Sequence, residues 1–158
     1  MALLKSTTIS MATRRGSNPT MPARLLFADT FYWVALLNPR DAFHSTVMSY
    51  SQTLGSARIV TTDEVFTEIL NFWSGYGPYW RGSAVAQVRD LRYDQSIDVL
   101  PQTRTDFDHA LALFEARPDK GYSLTDCRSM LALRALNMTE VLTNDHHFTQ
   151  EGFTILFP

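Results

Sequence analysis

Asp29, Glu68, Asp126 and Asp145 are far apart in the chain, yet they stand where the chain would leave or flank predicted parallel strands. Asp29 directly follows the apolar run Leu25-Leu26-Phe27-Ala28, and Asp145 closes Val141-Leu142-Thr143-Asn144. Asp126 opens a helix after Tyr122-Ser123-Leu124-Thr125, while Glu68 lies inside a helical stretch over 63–73. Open α/β sheets bind ligands in the crevice at the carboxyl ends of their strands. Carboxylates gathered there repel and raise one another's pKa. Mg²⁺ or Mn²⁺ offsets that repulsion by accepting one or two carboxylates plus waters. Such ions lower the pKa of bound water, and a pair of them clamps the attacking and leaving oxygens of a phosphodiester. The expected chemistry is metal-dependent hydrolysis of a phosphate ester.

Each aspartate also has a structural explanation. Asp29 can cap the helix that starts at Thr30, and Asp145 can cap a short turn over 146–149. Ser123-Leu124-Thr125-Asp126 has the form of a capping box with Asp in the acidic position. Glu68 has no such role. It sits mid-helix with Val65 and Phe72 as its i−3 and i+4 neighbours, and a carboxylate beside an apolar face needs water, a partner or a cation. Glu64, one turn earlier, adds a like charge and leaves open which glutamate serves a metal.

Other chemistries read poorly. No P-loop or Rossmann glycine pattern is present. His146 and His147 are adjacent and expected to face different ways, and His44 and His109 stand alone, so no zinc set emerges. Cys127 reads as a small buried residue near a helix start rather than as a nucleophile. A phosphotransfer site at Asp29 would want a second acid close by and a lysine at a later strand end, and the chain offers neither.

The elements that must position these acids alternate short apolar runs with helical stretches, the pattern of a parallel sheet covered on both faces. Strands are expected over 25–28, 58–61, 97–100, 140–143 and 153–157. Helices are expected over 30–37, 42–54 (capped by Asp41), 63–73, 79–91, 105–116 and 123–136. The 158 residues suit one domain. Residues 1–24 carry Lys5, Arg14, Arg15 and Arg24 without an acid, so the remainder holds a net charge of −6. That body is no nucleic-acid binder by electrostatics alone unless bound cations change the local sign. Residues 1–21 read as a disordered extension or a misassigned start, with Met11 and Met21 as alternative starts and a transit peptide a weaker reading. One cysteine fits a reducing compartment, and no apolar run approaches the length of a membrane span.

The residues together resemble the PIN-domain ribonucleases, especially the toxin components of toxin–antitoxin modules. The resemblance covers nearly all of 24–158. It is carried by Phe27-Ala28-Asp29-Thr30, by Val65-Phe66-Thr67-Glu68, by Asp119-Lys120-Gly121-Tyr122-Ser123-Leu124-Thr125-Asp126-Cys127 and by Leu142-Thr143-Asn144-Asp145-His146-His147-Phe148. It implies a PIN-like α/β domain over 22–158, with a central parallel sheet in strand order 3-2-1-4-5 and helices on both faces. It implies that Asp29, Glu68, Asp126 and Asp145 hold Mg²⁺ or Mn²⁺, supported by hydroxyl hydrogen bonds from Thr30, Thr125 and Thr143. It further implies endonucleolytic cleavage of RNA in the cytoplasm, a homodimer, and a cognate antitoxin protein that enters the active-site groove. An RNA-processing nuclease without an antitoxin and a catalytically silent PIN-fold binding module stay open beside it. Arg81, Arg89 and Arg92 follow one another on a single helix and read equally well as a phosphate-backbone track or a solvated face. The aromatics Phe72, Trp73, Tyr76, Tyr79 and Trp80 read as core and dimer packing, or as a surface for the antitoxin or for unpaired bases.

Overall fold

A computed structural model of the protein describes residues 23–158, so the expected extension over 1–21 lies outside the described residues. Five strands form one parallel sheet: β1 (Leu25–Ala28), β2 (Arg58–Thr62), β3 (Ile97–Leu100), β4 (Glu140–Leu142) and β5 (Thr154–Ile155). Their order is β3-β2-β1-β4-β5, the order that the family resemblance implies. Phe27 is paired with Val60 on one side and with Val141 on the other. Successive residues of a strand point to opposite faces. Leu26, Phe27 and Ala28 are all fully buried, so both faces of the sheet are covered at its centre.

Seven helices are described: α1 (Thr30–Leu37), α2 (His44–Ser51), α3 (Asp63–Trp73), α4 (Gly77–Tyr93), α5 (Arg104–Glu115), α6 (Leu124–Ala135) and α7 (His147–Gln150). In α1, Tyr32, Trp33, Val34 and Ala35 are consecutive and buried, which suits a helix enclosed by the protein rather than lying on it. The hydroxyl of Thr62 accepts from the Val65 N–H at the start of α3, which then buries Val65, Phe66, Ile69 and Trp73 along one stripe. Trp73 stacks on Trp80 of α4 with ring centroids 4.6 Å apart, fastening the α3–α4 hairpin. Trp73 is buried and Trp80 half-buried, and exposed Phe72, Tyr76 and Tyr79 lie on the same hairpin. Among the described residues, no helix is long and apolar enough to cross a membrane.

Several element boundaries differ from the expected ones. α2 is shorter than 42–54, because the Asp41 side chain accepts from the Phe43 N–H in a tight turn rather than capping a helix. α4 begins before Tyr79: Gly77 takes φ +86°, and Pro78 fits the first turn, where its missing N–H costs nothing. The last two strands are trimmed to three and two residues.

Buried central residues should therefore carry much of the stability. Phe27→Ala should cost about 3–5 kcal/mol in urea unfolding. Tyr93→Ala, at a side chain 87% exposed, should change it by no more than about 0.5 kcal/mol. Similar losses in both variants would contradict the packing described here.

Candidate active site

The strand order reverses between β1 and β4, the two strands that pair at the sheet's centre. Chains leaving the carboxyl ends of such neighbours turn to opposite faces and leave a crevice between them. Asp29 is the first residue after β1, and Thr143, Asn144 and Asp145 are the first three after β4. Asp29, Glu68, Asp126 and Asp145 all line the cavity at this place, of about 700 Å³, together with Phe31, Ser123, Asn144, His146 and His147. The four acids singled out in the sequence thus share one cavity.

Their seats differ. Asp29 stands at the N-cap of α1, but its side chain makes no capping hydrogen bond. It is 5% exposed; Oδ2 accepts from the Thr143 hydroxyl at 3.0 Å, and Oδ1 is buried with no hydrogen-bond partner. Burial, and then the charge of Asp126, push its carboxyl up to about 7, against hydrogen bonds from Thr30 and Thr143. Glu68 accepts a hydrogen bond from the Thr30 hydroxyl. Burial raises its pKa above the usual carboxylate value, with Asp126 and Asp145 adding to the effect.

Asp126 does two things at once. Its Oδ2 accepts from the Ser123 N–H at 2.8 Å while its own N–H donates to the Ser123 hydroxyl at 3.0 Å, completing the expected capping box. Burial nevertheless raises its pKa, because the capping hydrogen bonds oppose that shift only in part. Asp145 turns the chain: its Oδ1 accepts from the His147 N–H at 2.8 Å, and its N–H donates to the Thr143 hydroxyl at 3.2 Å. Thr143 therefore bridges the chain after β4 to Asp29 after β1.

Glu68, not Glu64, lines this cavity. Glu64 faces Arg128, whose Nε lies 3.4 Å from Glu64 Oε1 and whose Nη2 lies 3.6 Å from Asp106. Arg128 is 6% exposed, so this ion pair fixes α6 against α3 and α5 from within. Thr125 departs from the expected pattern: its hydroxyl makes no hydrogen bond to any of the four acids, and it lines a neighbouring groove with Glu64 and Glu68. Arg81, Arg89 and Arg92 are exposed on α4 and do not line the cavity; Arg81 instead donates to the Ser74 carbonyl. Cys127 is fully buried, as expected.

The histidines were misjudged from sequence. His146 and His147 both line the cavity, because a turn entering α7 does not alternate its side chains as a strand would. His147 Nδ1 lies 3.2 Å from Asp145 Oδ2 and 3.4 Å from Asp126 Oδ2. The ligand atoms of these three residues all lie within 4.8 Å of one another. The available signal was the spacing Asp145-x-His147, which lets the aspartate take the histidine N–H and fold the ring back over itself.

The sequence profile of the PIN domain matches residues 26–153. No curated protein matches the chain in sequence. Among solved structures, the fold is similar to that of VapC20 from Mycobacterium tuberculosis, described as a sarcin–ricin loop cleaving toxin. The TM-score is 0.73 at 22% identity, over 82% of this chain and 96% of that one. It is also similar to VapBC2 from Rickettsia felis, bound to a DNA fragment from its promoter, with a TM-score of 0.56 at 12% identity over 83% and 96% of the two chains. VapBC-1 from nontypeable Haemophilus influenzae is similar with a TM-score of 0.55 at 16% identity over the same shares.

The buried carboxylates give the metal-free protein a characteristic pH response. The Asp29 carboxyl ionises near 3.8 when exposed and near 7 in the fold. Between those values the folded state keeps a proton that the unfolded state has lost, so stability falls as pH rises through this window. The loss is on the order of 1 kcal/mol per pH unit, and the raised groups of Glu68 and Asp126 act in the same direction. Asp29→Asn should raise the melting temperature of metal-free protein at about pH 8 and flatten its slope down to about pH 5. A wild-type melting temperature that climbs with pH over that range would refute the buried-acid picture.

Proposed function

The chain belongs to the PIN domain family, and from that premise we propose that it is a divalent-metal-dependent endoribonuclease, the toxin of a toxin–antitoxin pair. The observation that carries this reading is the meeting of Asp29, Glu68, Asp126 and Asp145 in one cavity at the switch point of the sheet. The proposed domain spans 22–158.

The residues present fit a divalent ion. Asp29 Oδ1 is a buried oxygen without a hydrogen-bond partner, and three of the four carboxyls are raised, by burial first and by the neighbouring acids second. A donor set dominated by carboxylate oxygen suits Mg²⁺ or Mn²⁺. Asp29, Glu68, Asp126 and Asp145 are the groups that would hold it. When bound, such an ion lowers the pKa of a water and neutralises charge that builds on a phosphodiester.

The chain's own groups prepare the site before any ion arrives. Thr143 holds Asp29 Oδ2 and leaves Oδ1 free, while the Thr30 hydroxyl holds Glu68. The Ser123 box and the Asp145 turn fix the remaining two carboxylates. Preorganised acids avoid a reorganisation cost when a charged substrate enters. RNA is the proposed substrate, and a cognate antitoxin protein and a second copy of the chain are the proposed partners. Exposed Phe72, Tyr76 and Tyr79 supply aromatic surface for such contacts.

The test uses purified full-length protein, Mg²⁺ or Mn²⁺, and structured RNAs that include a sarcin–ricin loop oligomer. Asp29→Asn, Asp145→Asn and Glu68→Gln should each lower the cleavage rate on the order of a thousandfold. Glu64→Gln should keep most of the rate, since Glu64 is engaged by Arg128. Mg²⁺ or Mn²⁺ should raise the melting temperature of the wild type and do little for Asp29→Asn. Unimpaired cleavage in the first three variants would sink this reading.

A further inference from the structure

His147 is the one side chain at the cavity that presents nitrogen directly to two of the acids. Its Nδ1 is buried and has no hydrogen-bond partner, although carboxylate oxygens of Asp145 and Asp126 lie 3.2 and 3.4 Å away. A buried polar atom left in that state is costly unless something else engages it. Adjacent ligands of an octahedral ion with bonds near 2.1 Å stand about 3 Å apart, close to the spacing found here. These three ligand atoms lie within 4.8 Å of one another, close enough to share one ion.

The seat of the ring is built. Tyr122 meets it edge-on, with centroids 5.3 Å apart and planes at 69°. On another side lies Gly121, where a Cβ would come within 3.2 Å of His147 Nε2, so the ring occupies space that a side chain at 121 would contest. The backbone N–H of His147 is held by Asp145 Oδ1, which fixes where the ring begins. Asp29, nine-tenths buried and with Oδ1 unpartnered, lines the same cavity.

We propose that His147, through Nδ1, is a direct ligand of the divalent ion beside Asp126 and Asp145, and that it makes the site prefer Mn²⁺ to Mg²⁺. The proposal rests on the metal-nuclease reading of this cavity and goes further by naming a nitrogen ligand and its consequence. Mg²⁺ is a hard ion that favours oxygen and gives up its waters reluctantly, whereas Mn²⁺, although it lies at the weak end of the transition series, exchanges a water for imidazole nitrogen more readily than Mg²⁺ does. One nitrogen among carboxylates therefore shifts the balance toward Mn²⁺.

The experiment reads binding rather than cleavage. Mn²⁺ is added to metal-free, full-length protein, and pulsed electron paramagnetic resonance detects nitrogen bonded to the ion; Mg²⁺ competition gives the relative affinities. Wild type should show directly bound nitrogen and a Mn²⁺ preference on the order of tenfold greater than that of His147→Gln. His147→Gln should lose the nitrogen signal and still bind Mg²⁺. His146→Gln should keep both the signal and the preference, while Gly121→Ala should weaken the preference by displacing the ring. Bound Mn²⁺ without coordinated nitrogen in the wild type, a read-out that does not depend on any variant folding, would overturn the role of His147 alone. Absence of Mn²⁺ and Mg²⁺ binding would overturn this inference together with the metal-nuclease reading beneath it.

Discussion

The burial of carboxylates beside one another is the constraint around which this molecule is arranged. Asp29 loses most of its hydration beside Asp126 and Glu68, with no cationic side chain close enough to balance it. A chain that only had to fold would gain by replacing such a group with an apolar one of similar size. The cluster survives because each acid is fixed by something else: a hydroxyl for Asp29 and Glu68, a helix cap for Asp126, a turn for Asp145. Stability is given up at the carboxyl end of the sheet and recovered beneath it, where Leu26, Phe27, Val141 and Leu142 are fully buried or nearly so. Local strain of this kind at a site held by a rigid scaffold is the usual arrangement for a functional centre.

The strands and the positions of the acids could be read from the chain because they rest on strong, local signals, whereas the order of the strands came only from the family resemblance. Apolar runs such as Leu25–Ala28 are continuous only when both faces of a strand are buried, and the capping pattern Ser123 to Asp126 is complete within four residues. What could not be read depends on contacts between distant elements. Arg128 is buried between Glu64 and Asp106, which come from two other helices, and nothing in its own sequence neighbourhood shows that. His147 looked like half of an uninformative pair, because the turn that swings it toward Asp126 is not periodic. Thr125 sits beside Asp126 in sequence, but in the first turn of a helix adjacent side chains diverge, and its hydroxyl reaches none of the acids.

The Arg128 ion pair also explains how two glutamates one turn apart acquire different surroundings. Glu64 and Glu68 share a face of α3, and repulsion alone does not separate them. Arg128 engages Glu64 at 3.4 Å, and the Thr30 hydroxyl engages Glu68. The guanidinium is thus kept off the cavity by a carboxylate that it neutralises, and the cavity keeps its negative character. Had Arg128 reached Glu68 instead, it would have supplied within the chain the positive charge that the four acids otherwise draw from solution.

Asp126 shows why the scaffold and the site cannot be adjusted separately. Its Oδ2 accepts the Ser123 N–H and also lies within 3.4 Å of His147 Nδ1. The same oxygen therefore sets the start of α6 and faces the group that enters the cavity from α7. A shift of α6 along its axis would move the capping acid and its distance to His147 together. The buried contacts of Cys127, Met130 and Leu133 oppose such a shift, and the Arg128 pair opposes rotation of the helix. Precision at the cavity is consequently a property of the packing of α6, and the acid itself supplies one of the hydrogen bonds that holds that helix in place.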